Sequence, residues 1–252
     1  MLKELYERLM YLLTVPKCVC CGEKLSFYDR CLCPSCLSEY EAWKGRNCSV
    51  CTNLLPYCTC SNYYLKTHYV HKVIKVYRYK SINVDTPQNR VIYALKQSNR
   101  SDVFDFLAEE LSESITNNLD LTDKEGYVIT NVPRRPRAIR KFGYDHAKVL
   151  AKRVGKILGI EYRCLLVSRA KKAQKKLYKY DRRRNAKFRY KRKNEIDLSG
   201  KTVIIVDDII TTGASVGIAA AMIRALGTKK LIGASVGIAY KDMYDRGRKR
   251  IK

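Results

Sequence analysis

The sequence predicts an α/β fold, a parallel sheet flanked by helices, with a small cysteine-rich module ahead of it. Three observations predict this. Short apolar runs at Tyr127–Val132, Val203–Val206 and Leu231–Val236 alternate with stretches of helical period, the order that gives parallel strands joined by crossover helices. Val203 to Val206 contains no polar residue, as a strand buried on both faces requires. Ten of the eleven cysteines fall between Cys18 and Cys60, which sets the first quarter of the chain apart from the rest. The organisation expected is an N-terminal helical segment (1–15), a cysteine-rich module (16–65) and an α/β domain (66–252).

Each element follows from its pattern. Leu2, Leu5, Leu9, Leu12 and Leu13 recur at helical spacing, so Met1 to Leu13 should form an amphipathic helix docked on a domain or a partner. Cys18-x-x-Cys21 and Cys33-x-x-Cys36 are two knuckles eleven residues apart, and Cys48-x-x-Cys51 with Cys58-x-Cys60 supplies four further thiols. Such spacing suits one or two structural, tetrahedral Zn2+ ions, since a short segment gains from metal the stability that it cannot gain from a core. Four-thiolate sets favour zinc or iron–sulfur, and this spacing is not that of the usual ferredoxin runs. Spacing alone does not fix the pairing: sequential sites, Cys18, Cys21, Cys33 and Cys36 and then Cys48, Cys51, Cys58 and Cys60, are expected, with an interleaved cross-brace or one site with a degenerate second set as the alternatives. Cys20 and Cys31 are surplus. His68 and His71 read as ordinary surface or strand residues.

Beyond the module, alternating apolar and basic residues from His68 to Tyr79 read as strand with one face wet. Val91–Lys96 and Val103–Ile115 have helical period, Tyr127–Val132 is a strand closed by Pro133, and Tyr144–Leu158 is a helix. A strand at Cys164–Val167, the strand at 202–206, a helix over Ala214–Leu226 and the strand at Leu231–Val236 complete the domain.

Fifty Lys and Arg against twenty-four acidic residues give a formal charge of +26, and polyanions are the natural partners of such a surface. The excess is local: residues 168–193 hold fourteen basic side chains and one acidic one, Asp181. Within it Lys175, Lys176, Arg182, Arg183 and Arg184 interleave with Tyr178, Tyr180, Phe188 and Tyr190. Phosphate neutralisation plus base stacking is what nonspecific single-strand binding needs. A basic lid over a bound anion is the other reading of the same segment. No apolar run approaches the ~20 residues of a membrane-spanning helix and no signal-peptide pattern occurs, so the protein is expected in the cytoplasm, where thiols stay reduced.

The chemistry concentrates in Val203-Ile204-Ile205-Val206-Asp207-Asp208-Ile209-Ile210-Thr211-Thr212-Gly213-Ala214-Ser215. A buried strand ends in two carboxylates, which should reach solvent. A hydroxyl- and glycine-bearing turn then opens an Ala-rich helix. Ligands of open α/β sheets lie outside the carboxyl ends of strands, and helix N-termini hold phosphate, so the order points to a phosphorylated sugar. A helix cap alone needs one such residue and not this series.

Asp207-Asp208-x-x-Thr211-Thr212-Gly213 resembles, without a gap, the PRPP-binding motif of type I phosphoribosyltransferases, where PRPP is 5-phosphoribosyl 1-pyrophosphate. The resemblance implies that Asp207 and Asp208 are the catalytic carboxylates and hold the ribose hydroxyls. It implies too that Thr211, Thr212, Gly213, Ala214 and Ser215 wrap the 5′-phosphate, and that Mg2+ accompanies PRPP. Pro133, Arg134 and Arg135 fall where that family grips pyrophosphate, and cations there can stabilise a departing pyrophosphate.

A narrower likeness covers nearly the whole chain. The cysteine module, Val132-Pro133 with its basic followers, Gly143-Tyr144-Asp145-His146-Ala147, then Arg169, Gln174, Leu177, Arg182, Asn185 and Phe188 before the Asp-Asp motif resemble the ComF competence family. One departure is visible: Phe142 precedes Gly143 where the family usually has Arg, with Arg140 and Lys141 displaced. The resemblance implies cytosolic service in natural transformation, binding incoming single-stranded DNA beside a helicase-like DNA translocase. Two functions then compete: a PRPP- and single-strand-binding protein, and an active transferase displacing pyrophosphate onto an unidentified acceptor. A pure protein adaptor would leave the ligand motif without a purpose.

Overall fold

The structure, a computed structural model, describes Tyr11 and residues 15–79, 85–169, 188–191 and 196–239. The remainder of the N-terminal helix expected at 1–13 and the basic, Tyr-bearing stretch at 170–187 lie outside the described residues.

The elements are α1 (Pro34–Lys44), α2 (Tyr63–Lys66), β1 (Val70–Arg78), α3 (Pro87–Gln97), α4 (Ser101–Thr116), β2 (Tyr127–Asn131), α5 (Pro136–Phe142) and α6 (His146–Leu158). They continue with β3 (Leu166–Ser168), β4 (Phe188–Tyr190), β5 (Thr202–Ile210), α7 (Ala214–Arg224) and β6 (Lys230–Ile238). Four strands form one sheet in the order β1-β6-β5-β2, and every pairing is parallel. Ile129 lies beside Ile204, and Ile205 beside Gly233.

Strand β5 divides the core by its period of two. Ile204 and Val206 join one cluster, with Leu107, Leu111, Leu150 and Val154 of α4 and α6. Val203 and Ile205 join the other, with Val216, Ala220 and Ile223 of α7 and Leu65 of α2. Helices thus cover both faces, as an apolar strand demands. Local signals place them: Thr86 caps α3 at the Asn89 N–H ahead of Pro87, and Asp145 caps α6, which ends at left-handed Gly159.

Two expectations change. The strand at Cys164–Val167 is displaced to Leu166–Ser168 and belongs to a separate antiparallel pair with Phe188–Tyr190. The chain touches the main sheet only in passing, where Ile129 N–H donates to Glu161 O and Arg163 N–H to Ile129 O. Strand β1 is not wet along one face. His71 and Lys72 are exposed, but Val73 through Tyr77 are all buried, because the cysteine module covers this edge strand. Cys18, Cys20, Leu25, Leu32 and Tyr40 of that module belong to the same core cluster as Ile74 and Val76. No helix among the described residues is long and apolar enough to cross a membrane.

Candidate functional site

The site is built at the carboxyl ends of β2 and β5, which are adjacent: Asn131 pairs with Val206, and Val132 N–H donates to Val206 O. Strand β5 continues to Ile210, so the acidic pair lies within the strand and its side chains alternate across the sheet. Asp207 takes the face of Val203 and Ile205 and is half-buried. Asp208 takes the face of Ile204 and Val206, with only 6% of its surface exposed. The expectation that both carboxylates reach solvent therefore fails for Asp208, because the strand outlasts its apolar run.

Asp208 is instead committed internally. Its Oδ2 lies 2.7 Å from Lys96 Nζ and 3.0 Å from His146 Nε2, and its Oδ1 accepts from the Ile209 N–H at 2.7 Å. Burial works to raise this carboxyl, but Lys96 and His146 outweigh it and hold Asp208 well below the usual carboxylate range. For Asp207, burial and the neighbouring Asp208 carboxylate both act upward, so it sits well above that range. Environment has driven two like residues apart, Asp208 downward as a fixed counter-ion and Asp207 upward. Lys96, in the last turn of α3, and His146, the first residue of α6, carried no role in the sequence reading. His146 stood inside the quoted Gly-Tyr-Asp-His-Ala string, whereas nothing in sequence marks Lys96.

After Ile210 the chain turns through Thr211, exposed, and Thr212, half-buried, to Gly213 at φ +77°. Gly213 is the N-cap of α7 and offers no side-chain oxygen to its first turn. Thr212 Oγ1 accepts from the Ala214 N–H at 3.3 Å, and Ser215 is half-buried on the first turn of the helix. A left-handed glycine before a helix without a side-chain cap turns the positive end of the helix toward the site.

On β2's side, Pro133, Arg134 and Arg135 lead into α5. Arg134 is pinned: its N–H donates to Asp145 Oδ2 at 2.9 Å and its Nη1 to Tyr144 O at 3.1 Å. Its guanidinium lies 4.6 Å from the centre of the Phe142 ring. Phe142 thus serves as a platform for this cation. Burial disfavours the charge of both Arg134 and Arg135, with Arg137 adding to the effect on Arg135.

The cysteines converge as two sequential sets. Cys18, Cys21, Cys33 and Cys36 form one, and Cys48, Cys51, Cys58 and Cys60 the other; within each, the sulfurs lie within 4.8 Å of one another. This is the expected sequential arrangement, and not the interleaved cross-brace. Cys18 Sγ accepts from the N–H groups of Cys20 and Cys33, each at 3.4 Å, and Cys48 Sγ and Cys58 Sγ accept from Val50 and Cys60 at the same distance. Burial raises the Cys18 and Cys48 thiols, yet these backbone donors bring them down to about 6 and about 7. Four soft donors with thiolate-stabilising N–H groups fit a tetrahedral ion of the zinc kind. Cys20 and Cys31 stay outside both sets, and burial pushes each up to about 12.

Of the residues expected to touch single strands, Lys175, Lys176, Tyr178, Tyr180, Arg182, Arg183 and Arg184 lie outside the described residues. Phe188 and Tyr190 are half-buried. They pack against the α7-side core, and Tyr190 OH donates to Met222 O at 2.8 Å.

Residues 138–249 match the family described as Phosphoribosyl transferase domain. The chain carries a phosphoribosyltransferase-type domain. No curated protein matches the sequence. Among solved structures, the chain is similar to a purine phosphoribosyltransferase from Pyrococcus horikoshii, with 22% identity over 53% of this chain and 71% of that one and a TM-score of 0.33. It is similar also to adenine phosphoribosyltransferase from Saccharomyces cerevisiae, with 18% identity over 61% and 77% and a TM-score of 0.36. A third is adenine phosphoribosyltransferase from Thermoanaerobacter pseudethanolicus, with 15% identity over 63% and 89% and a TM-score of 0.37. The matched segment of this phosphoribosyltransferase-type domain contains His146, Asp207, Asp208 and the Thr211–Ser215 turn.

Proposed function

We propose that the chain is a PRPP-binding protein of the cytoplasm that also binds single-stranded DNA and serves DNA uptake in natural transformation, beside a helicase-like translocase. The observation that carries the PRPP reading is the turn from Asp207 through left-handed Gly213 into α7, which sets a carboxyl and a helix N-terminus at one strand end. In this reading Asp207 receives the ribose hydroxyls. Thr211, Thr212, Gly213, Ala214 and Ser215 receive the 5′-phosphate. Asp208, fixed by Lys96 and His146, braces the strand end behind the ribose. Mg2+ accompanies the pyrophosphate and offsets its charge. Zinc in the two cysteine sets is structural.

The DNA part rests on the +26 charge, the basic Tyr-bearing segment and the likeness to the ComF family. If that segment contacts phosphates, log affinity for a single strand falls steeply with log salt; a flat dependence removes it. The PRPP part is tested by calorimetric titration with Mg–PRPP, and a chain that gives no binding heat would refute it.

One observation favours a second reading, transfer. Arg134 and Arg135 stand at the strand end next to the acidic pair, where a leaving pyrophosphate would be neutralised. An acceptor would bond to the anomeric carbon as pyrophosphate departs with the bonding pair. Release of pyrophosphate from PRPP, measured with single-stranded DNA and with a panel of bases, separates turnover from binding.

A further inference from the structure

The segment that follows the second cysteine set packs against the anion turn, although the two are far apart in sequence. Cys60, its last thiol, is followed by Ser61 and Asn62 and then by α2. Ser61 Oγ donates to Val70 O at 2.7 Å. Asn62 Oδ1 caps α2 by accepting from Leu65 N–H at 2.8 Å, while its Nδ2 reaches Thr212 O at 3.5 Å. Leu65 is fully buried, and it fills the space that a side chain at position 213 would need: a Cβ on Gly213 would stand 2.7 Å from Leu65 Cγ. One turn along α7, a Cβ on Gly217 would stand 2.7 Å from Tyr64 Cε1 and 3.2 Å from His68 Cγ. Glycine at 213 therefore answers two demands, a left-handed φ and close approach of α2.

The other end of the segment is held just as firmly. Lys75, fully buried in β1, donates from Nζ to Cys60 O at 3.0 Å and to Val73 O at 3.1 Å. A buried ammonium requires compensation, and a set of four thiolates around a divalent ion carries a net negative charge that supplies it.

We propose that Ser61–Leu65 is a strap through which the second cysteine set fixes the anion turn, with Tyr64 and Leu65 as positioning residues for the phosphate site. Metal loading of Cys48, Cys51, Cys58 and Cys60 and affinity for the phosphate group are then linked, each strengthening the other by the same factor. The inference rests on the reading that residues 211–215 receive the PRPP 5′-phosphate.

The test is hydrogen exchange of the full-length, zinc-loaded chain, with zinc per chain measured by mass spectrometry and Mg–PRPP affinity by calorimetry. Leu65→Ala, Tyr64→Ala and Cys60→Ser should each speed exchange of amides 211–217 and weaken PRPP roughly tenfold, within the usual range of site coupling. Amides of β2 serve as the control and should not change. Tyr64→Phe should restore the wild-type values, and Tyr64→Ala carries the test should Leu65→Ala not fold. Unchanged exchange at 211–217 in Tyr64→Ala and in Cys60→Ser, with zinc lost from the latter, would overturn the strap. If those amides loosen while the wild-type chain binds no PRPP, the strap stands and the PRPP reading falls.

Discussion

Cys18, Cys21, Cys33 and Cys36 converge much as Cys48, Cys51, Cys58 and Cys60 do, yet the two sets have different surroundings. The first is walled by Cys20, Leu25, Cys31, Leu32 and Tyr40 into the core that α4 and α6 make with the sheet. The second has a small cluster of its own, formed by Cys48, Leu55 and Cys58, and it meets the domain through buried Lys75 and the strap to Gly213. Like ligand chemistry is thus put to unlike uses. One set replaces core that a short segment cannot build, and the other steadies a turn that must present backbone groups to a ligand.

The largest expected effect breaks the comparison at its first member. Cys18→Ser removes a thiolate on which two backbone N–H groups converge, and a structural zinc site is worth on the order of 10 kcal/mol, as much as a whole domain's stability. Thermal melts followed by circular dichroism should show little cooperative unfolding in Cys18→Ser, whereas Cys58→Ser should retain the transition of the sheet. Equal collapse of both variants would erase the distinction.

The acidic pair offers the same contrast at smaller scale. Asp208→Asn leaves Lys96 and His146 buried without their carboxylate, and breaking a buried pair costs about 3–5 kcal/mol. Denaturant titration should find that loss in Asp208→Asn and almost none in Asp207→Asn. Next comes Cys58→Ser in ligand binding: affinity for Mg–PRPP should fall roughly tenfold through the strap, with zinc reduced from two to one per chain in the proposed scheme. A small effect is expected of Cys20→Ala, since this thiol is outside both sets and donates to Pro87 O at 3.6 Å. Zinc content should stay unchanged, and stability should fall by about 1 kcal/mol.

Much of this was legible in the chain. The apolar run at 203–206 revealed the central strand because a strand covered on both faces admits no polar residue. The cysteine spacings revealed the ligand sets, although not their pairing, which depends on how the chain folds between knuckles. The glycine at 213 was readable from its place between a hydroxyl pair and a helix. What stayed hidden was nonlocal. Lys75 reads as a wet position on an edge strand until the cysteine module is known to cover that edge. Lys96 gains meaning only when the end of α3 is brought over β5 to meet Asp208.

The strand end at Asp207 and the turn into α7 are proposed to hold PRPP. Calorimetric titration of the zinc-loaded chain with Mg–PRPP, run in parallel on wild type and Asp207→Asn, tests it most directly. One site per chain is expected in the wild type. In Asp207→Asn, affinity should drop roughly tenfold, about the worth of one hydrogen bond, with an unchanged melting transition. An absence of binding heat in the wild type, or equal affinity in the two proteins, would contradict it.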